Sequence, residues 1–455
     1  MTRPASVLVL GAGPAGLAAA FRLGQQGHSV TLLEERDRLG GGLVAPGEDQ
    51  SLVDAIPPVI FGHQSATLQL LKDLGTLKHA QFRTPGQIEF RTRDHGAKRL
   101  RNLWLPAPFH SILGLAASRG LTLRDLWRAL VFLERTWEED PGLPLDLDSR
   151  RADQWLTDIR QSEEAQVNVW APLSRFLLSS ELSSASAGLL VEMLRRSFLT
   201  TRANSRVGIP DRDWSSLLIR PVVEQYKKRQ VILHTGCLFD QIQVKGQLVT
   251  GVRVKDRRVL TADWYVAAVP PRRLSDLLPE GVVTHYATFH QLGKLADAVG
   301  LTVHLWLEAP SETPRLALLV GHTFHWLVIR RAPGSEKNAL VSLVATGRAD
   351  LMHHSDQALA DFAWTDVKTA LPELSQARLA KAQVIKRERA CLMARPGATA
   401  YRPVTESPFS NLLLAGGWTD TGLPDSVEGA ILSADRCAQV IAARAAASER
   451  SQRTA

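Results

Sequence analysis

Gly11-Ala12-Gly13-Pro14-Ala15-Gly16 is the first stretch of this 455-residue chain whose spacing implies chemistry. It follows the apolar run Ser6–Leu10 and opens an Ala- and Leu-rich helical pattern that stops at Gly27. A second apolar run, Ser29–Leu33, then leads to Glu34, eighteen residues beyond Gly16. Each piece has a physical task. Gly11 permits a tight turn, Gly13 lets backbone approach a pyrophosphate, and Gly16 lets a helix pack on a strand. Pro14 and Ala15 complete the turn, and the helix start offers unpaired N–H groups and partial positive charge to phosphate. Glu34 is placed to accept hydrogen bonds from adenosine ribose hydroxyls. Glycine turns alone are common, but strand, glycines, helix, strand and acid in this order satisfy the context test for a dinucleotide site.

The continuation Glu34-Glu35-Arg36-Asp37-Arg38-Leu39-Gly40-Gly41 resembles the flavin amine-oxidase superfamily, in which an acid, polar residues and a glycine pair follow the second strand. The resemblance implies FAD rather than NAD, with Gly40 and Gly41 passing close to the cofactor's pyrophosphate and Glu35 beside it. A second stretch, residues 412–430, reads Leu-Leu-Leu-Ala-Gly-Gly-Trp-Thr-Asp-Thr-Gly-Leu-Pro-Asp-Ser-Val-Glu-Gly-Ala. It resembles the C-terminal flavin motif of carotenoid-type desaturases, most closely that of the hydroxysqualene dehydroxylases. This implies cofactor contacts from Gly416, Gly417, Trp418, Asp420, Pro424, Ser426 and Val427. A strand delivers the turn, and a helix then starts toward the isoalloxazine, where its positive end favours the charge of a reduced flavin. Looser likenesses at 153–156, 170–173, 182–186, 262–271 and 384–403 extend the resemblance over nearly the whole chain, and it places the Leu238 backbone at the adenine.

Three positions depart from the family pattern. Gly42 stands where an arginine usually follows the glycine pair, and Gly417 where the flavin motif usually has an aspartate. Asp54-Ala55-Ile56-Pro57-Pro58 replaces an Asp-Asn-Gly-Gln-His segment near the flavin. The first two changes remove cofactor contacts each worth about 1–3 kcal/mol when buried, and Asp420 is the residue expected to substitute.

The family activity implied is reduction of hydroxysqualene to squalene, with hydride delivered to an allylic carbon as the hydroxyl leaves. A general acid would ease that departure; Asp54 and His63 are the candidates, although a lone Asp or His in a loop is ordinarily a surface or hydrogen-bonded residue. Glu428 reads as ordering a helix start. With an apolar substrate, most of the catalytic work is positioning. Trp104, Phe109, Trp127, Trp170 and Trp326 are candidates for lining an apolar tunnel, and such aromatics are more commonly core. No second GxGxxG follows, so the electron donor is a separate reductase, a quinone, a transient nicotinamide contact or, in the oxidative direction, oxygen. Two other readings stay open: a carotenoid or porphyrinogen desaturase, and a non-catalytic flavoprotein-fold scaffold presenting lipid to terpenoid enzymes.

The elements that must position these residues are α/β: a Rossmann-type FAD-binding domain with a mixed-sheet and helical substrate domain. Residues 1–80, 215–285 and 380–446 are assigned to a discontinuous FAD domain, with strands at 231–234, 238–244, 248–254, 264–269 and 411–415, a loop at 39–50 and a closing helix at 426–446. Residues 81–214 read as mostly helical (121–138, 153–156, 163–177, 184–199), with a β-like stretch around 88–91. Residues 286–379 read as substrate-domain sheet with a helix at 355–372, and 447–455 as a frayed tail. A 45% hydrophobic, 22% charged composition is that of a core-forming chain long enough for two or three cores. The net charge of +8 is dispersed through Arg195-Arg196, Lys227-Lys228-Arg229, Arg257-Arg258 and Arg330-Arg331. That dispersal argues against a nucleic-acid stripe and permits peripheral contact with an anionic membrane. Three separated cysteines, Cys237, Cys391 and Cys437, give no metal spacing and point to a reducing, cytoplasmic setting. No apolar window is long enough to span a bilayer.

Overall fold

Alternation along the short apolar runs explains the first layer of the molecule. Val7 and Val9 face one core with the helix Pro14–Gln25, while Leu8 and Leu10 face another built on Phe239, Val252 and Leu274. A strand covered on both faces reads as continuously apolar, the mark of a parallel sheet. The computed structural model, which describes residues 4–47, 52–82, 87–94, 96–101, 103–105, 109–117, 121–137, 145–309, 314–332 and 338–454, shows that sheet. Its order is Leu412–Leu414, Trp264–Ala267, Ser6–Leu10, Ser29–Leu33, Val231–His234, all parallel. The chain's first strand is therefore central, and a strand from residue 412 onward closes its flank. The helix Val427–Thr454 packs beside Pro14–Gln25, and a three-stranded sheet (Phe239–Lys245, Leu248–Val254, Val259–Leu260) covers the opposite face.

A second, seven-stranded sheet forms the substrate domain: Arg378–Leu392, Asp297–Glu308, Ala339–Thr346, Trp326–Arg331, Arg315–Val320, Gln87–Thr92, Gly96–Arg101. Only the contact between Arg315–Val320 and Gln87–Thr92 is parallel. One face buries Val303, Leu305 and Val341 under the helix Asp356–Ala370; the other carries Leu318, Trp326 and Val328 against the helical region.

Several expectations change. The β-like stretch at 88–91 is the strand Gln87–Thr92, but with Gly96–Arg101 it completes the sheet of the 286–379 segment and does not belong to the helical part. Arg378–Leu392 also belongs to that sheet, so the third FAD-domain segment begins after Leu392, not at 380. Pairing partners 70 and more residues away cannot be seen in a local pattern. The loop expected at 39–50 contains a 3₁₀ turn, Gly41–Leu43, and a strand, Val44–Pro46, paired with Leu52–Asp54; residues 48–50 lie outside the described residues. The first helix starts at Pro14, after the glycine turn. The final helix runs to Thr454 and takes in the tail expected to fray, because Ala445-Ala446-Ala447 and the Glu and Arg that follow are strong helix formers. Single π turns lie within two helices, at Gln166–Trp170 and Ser215–Ile219, and end a third at Arg195–Leu199. The last two lie beside site residues: Ser197 faces His63 and Ile219 lies on Gly40.

Candidate functional site

The glycine turn is built as its spacing implies. A Cβ on Gly16 would stand 1.8 Å from the Gly11 carbonyl oxygen, so helix and strand meet at a separation no side chain permits. Gly41 (φ +55°) comes as close to Gly13, where a Cβ on Gly41 would lie 2.9 Å from the Gly13 Cα. The two glycine loops thus converge over the start of Pro14–Gln25, whose first turn has neither a side-chain cap nor an acid. Uncapped N–H groups and the helix dipole make this an anion site. The Glu34 carboxylate accepts from Ala12 N–H (2.7 Å) and Arg36 N–H (3.0 Å), and each oxygen keeps a second acceptor position for a ribose hydroxyl. Nearby, Arg38 Nε is buried with no hydrogen-bond partner among the described residues, and burial lowers its pKa. An unpartnered Nε donor in the loop leading to Gly40, whose N–H bonds the Ala12 carbonyl at 2.8 Å, fits a diphosphate.

Of the predicted residues before the flavin turn, Glu35 is engaged elsewhere. Glu35 pairs with Arg273 at 2.5 Å, and the same guanidinium donates to the Phe239 carbonyl, so Glu35 joins the first sheet to the three-stranded one. Leu238, 43% exposed, lies just before Phe239–Lys245, and its carbonyl accepts from Lys255 N–H at 2.8 Å.

Strand pairing brings the distant flavin motif to the same place. Ala415 N–H donates to Ala267 (3.0 Å) and Ala268 N–H to Leu10 (2.8 Å), so residues 11 and 416 leave the same end of the sheet from strands on either side of Trp264–Ala267. Gly416 N–H is held by Ser433 Oγ at 2.8 Å. The Trp418 ring folds back over Gly416 into the core with Tyr265 and Phe409. Asp420 accepts from Gly422 N–H (3.2 Å), and its carbonyl from Arg436 (2.6 Å), which pins the turn. The space beside Gly417 is taken by Asp425, whose Oδ1 lies 2.1 Å from where a Cβ would sit. Ser426 Oγ accepts from Gly429 N–H (3.1 Å), ahead of the helix that Val427 begins. A cleft of about 400 Å³, including its open mouth, lies beside Pro424 and Asp425 and is lined by Leu189, Leu295, Leu392 and Arg402.

Arg402 is the residue that sequence reasoning left without a role. Buried at 8% exposure, it donates to the carbonyls of Gly417, Trp418, Thr419 (2.7 Å) and Leu423, clamping the whole flavin turn. The only signal was its place before Pro403. Glu428 does order a helix start, but that of another helix. Its carboxylate accepts from Ala66 N–H (2.9 Å), Thr67 N–H (2.8 Å) and Thr67 Oγ1 (2.7 Å), capping Ser65–Asp73.

The two catalytic candidates separate. Asp54 is a correction: its carboxylate is fully buried, paired with Arg330 at 2.5 Å and bonded to Trp214 N–H at 2.9 Å. Around it, His304 bonds the Asp54 carbonyl (2.7 Å), Thr302 Oγ1 donates to Ala55 (2.8 Å), and Trp214 Nε1 donates to Ile56 (3.1 Å). The altered 54–58 segment is therefore riveted to the seven-stranded sheet, and the Asp54 carboxyl is turned to Arg330 and Trp214 within it. His63 sits 5.3 Å from the Phe61 ring, its Nδ1 3.5 Å from Ser197 Oγ, and burial pushes its pKa down to about 4. Of the aromatic candidates, Trp170 and Trp326 are core, while Trp104 (86%), Phe109 (55%) and Trp127 (68%) face solvent. Among the described residues no helix is long and apolar enough to cross a membrane.

Comparison with known proteins agrees with this geometry. Residues 14–442 match the family described as flavin containing amine oxidoreductase. The chain is 26% identical to 15-cis-phytoene desaturase of Synechococcus elongatus over 96% of both chains. It is also 26% identical to hydroxysqualene dehydroxylase of Rhodopseudomonas palustris, over 96% of this chain and 98% of that one. Among solved structures, an oxidoreductase from Methanosarcina mazei superposes with a TM-score of 0.72 at 16% identity, covering 95% of this chain and all of the other. A putrescine oxidase variant gives 0.69 at 18% identity, covering 97% and 99%. FAD is accordingly the cofactor, the glycine loops and the turn after Leu414 are built in a way that fits it, and the chain belongs to the flavin-containing amine oxidoreductase family.

Proposed function

We propose that this flavin-dependent oxidoreductase acts on a long apolar isoprenoid, and that its reaction is reductive removal of the hydroxyl of hydroxysqualene to give squalene. One observation carries the reading: Leu423, in the flavin turn, packs in the same apolar cluster as Phe61, Leu190, Phe198 and Trp326. A substrate approaching the flavin from that side meets hydrocarbon and aromatic rings. Such a wall favours a chain of methylenes and alkenes over an amine or a sugar.

FAD, when bound and reduced, supplies the hydride equivalent. The substrate C–O bond breaks, a C–H bond forms at the same carbon, and the hydroxyl leaves as water with a proton from solvent. The chain's part is placement and exclusion of water. His63 at pKa about 4 is neutral at physiological pH. Its task is therefore to donate a neutral N–H hydrogen bond to the departing hydroxyl, not to act as an imidazolium acid. A separate donor, such as a reductase, a quinone or a nicotinamide, must restore the electrons. Trp104, Phe109 and Trp127 with the excess positive charge give a peripheral contact with an anionic membrane, from which such a substrate is drawn.

A second reading, carotenoid desaturation, draws on the similarity to 15-cis-phytoene desaturase. The two run the flavin in opposite directions. Protein loaded with FAD is incubated anaerobically with hydroxysqualene and a chemical reductant, or with phytoene and no reductant. Squalene in the first incubation supports dehydroxylation. Flavin bleaching by phytoene with no squalene from hydroxysqualene overturns it in favour of desaturation.

A further inference from the structure

Positions 42 and 417 lack side chains at a site that must hold a dianionic, polyhydroxylated cofactor, and two charged groups from other elements stand where those side chains would begin. At the first, the Gly42 carbonyl accepts from Arg387 Nη1 at 2.9 Å, and a Cβ on Gly42 would lie 3.7 Å from the same nitrogen. At the second, Asp425 Oδ1 occupies the Cβ position of Gly417, at 2.1 Å. We propose that Arg387 and Asp425 are FAD-binding residues of this chain, supplying from the substrate sheet and from the helix-leading loop the cation and the carboxylate that Gly42 and Gly417 leave out.

The way Arg387 arrives is specific. It lies on Arg378–Leu392, the edge strand of the seven-stranded sheet, where pairing with Asp297–Glu308 jumps from Ala298↔Cys391 to Gly300↔Arg387. A bulge of this kind re-aims a side chain, here out of the ladder and toward the glycine loop. Gly300 makes the bulge feasible: a Cβ there would strike the Ala390 Cβ at 2.5 Å and crowd Arg387 Nη2 at 3.3 Å. One of the five guanidinium N–H groups reaches Gly42, and no carboxylate among the described residues forms an ion pair with Arg387. Burial lowers its pKa, and Asp425 acts on it from a distance. A half-buried cation without a counter-ion, one residue from the glycine pair that closes on Gly13, is suited to a phosphate or another electron-rich cofactor group.

Asp425 is the complementary case. Oδ2 is held by Leu392 N–H at 2.8 Å, which leaves Oδ1 against Gly417 as an acceptor for a cofactor hydroxyl. Leu392 ends the strand that carries Arg387, so one strand fixes both groups. Asp425 also lines the cleft beside Pro424. The inference rests on FAD as cofactor and is independent of which substrate is reduced.

The test is a pair of charge transplants read as FAD affinity. FAD is stripped from the purified full-length protein and titrated back, with Kd read from flavin fluorescence and folding of the stripped protein checked by circular dichroism. Arg387→Ala and Asp425→Ala are each expected to raise Kd about tenfold or more, the loss of one charge-assisted contact. Gly42→Arg added to Arg387→Ala, and Gly417→Asp added to Asp425→Ala, are expected to restore Kd to within a few-fold of wild type. Gly417→Asp alone, with Asp425 in place, is expected to bind poorly because the two carboxylates claim the same space. Folded Arg387→Ala and Asp425→Ala proteins with unchanged Kd, or transplants no better than the single variants, overturn the proposal.

Discussion

Replacing Asp54 with asparagine leaves the Arg330 guanidinium charged, 4% exposed and facing a neutral amide in place of its counter-ion. Asparagine still accepts from Trp214 N–H, and Arg330 still donates to the Arg212 carbonyl at 3.0 Å, so the packing survives and the charge does not. Breaking a buried pair from one side costs about 3–5 kcal/mol, because the remaining ion keeps its desolvation penalty. With an unfolding entropy of about 2.1 cal/mol/K per residue, a cooperative chain of this length loses roughly 3–5 °C of Tm. Thermal unfolding of wild type, Asp54→Asn, Arg330→Met and the double variant Asp54→Leu/Arg330→Met completes the cycle. The double variant is expected to regain most of the loss, since it removes both charges. Activity measured well below the Tm is expected to fall less than tenfold in Asp54→Asn. An unchanged Tm together with a thousandfold loss of turnover would show that Asp54 is an acid catalyst after all and that the rivet is not its role.

Burial holds His304 and His325 at pKa about 4, below the ordinary 6.5. The unfolded chain therefore takes up protons first as pH falls, so this stability is complete above 6.5 and is lost between 6.5 and 4, at about 3 kcal/mol per histidine. Urea midpoints at pH 7 and pH 5 check it: His325→Gln is expected to flatten the pH dependence, and an unchanged slope counts against it. Arg402→Lys keeps the charge but loses the fork that gathers the carbonyls of 417–423. FAD is expected to bind about tenfold more weakly, and an unaltered titration curve refutes the clamp. Glu428→Ala uncaps Ser65–Asp73 and is expected to cost about 1–3 kcal/mol. Faster hydrogen exchange at the Ala66 and Thr67 amides is the readout, and unchanged protection would contradict it.

What the sequence revealed was whatever lies close along the chain. Strand, glycines, helix and Glu34 fall within one short window, and each leaves a local mark, as does the Gly-Gly-Trp turn after Leu414. Relations between distant segments left none. Arg378–Leu392 is half charged in its middle and gave no sign that it edges a sheet with Asp297–Glu308. Asp54 looked available because nothing nearby in sequence announces Arg330, 276 residues away. Asp425 read as a flank of the flavin motif, since only three dimensions show that its oxygen fills the gap beside Gly417. Charges that travel between elements while keeping their place in space are invisible to a motif, which compares positions in a line.

The middle position of Ser6–Leu10 in its sheet sets the order of events during biosynthesis. One neighbour, Ser29–Leu33, emerges from the ribosome almost at once; the other, Trp264–Ala267, follows after half the polypeptide, and its own outer partner, Leu412–Leu414, after nine-tenths. Nascent chains halted before residue 412 must wait with the nucleotide cradle half walled and no flavin turn to complete it. The cradle is therefore walled in full only when the last tenth of the polypeptide has joined the sheet, and an apolar strand edge stays open to aggregation until then.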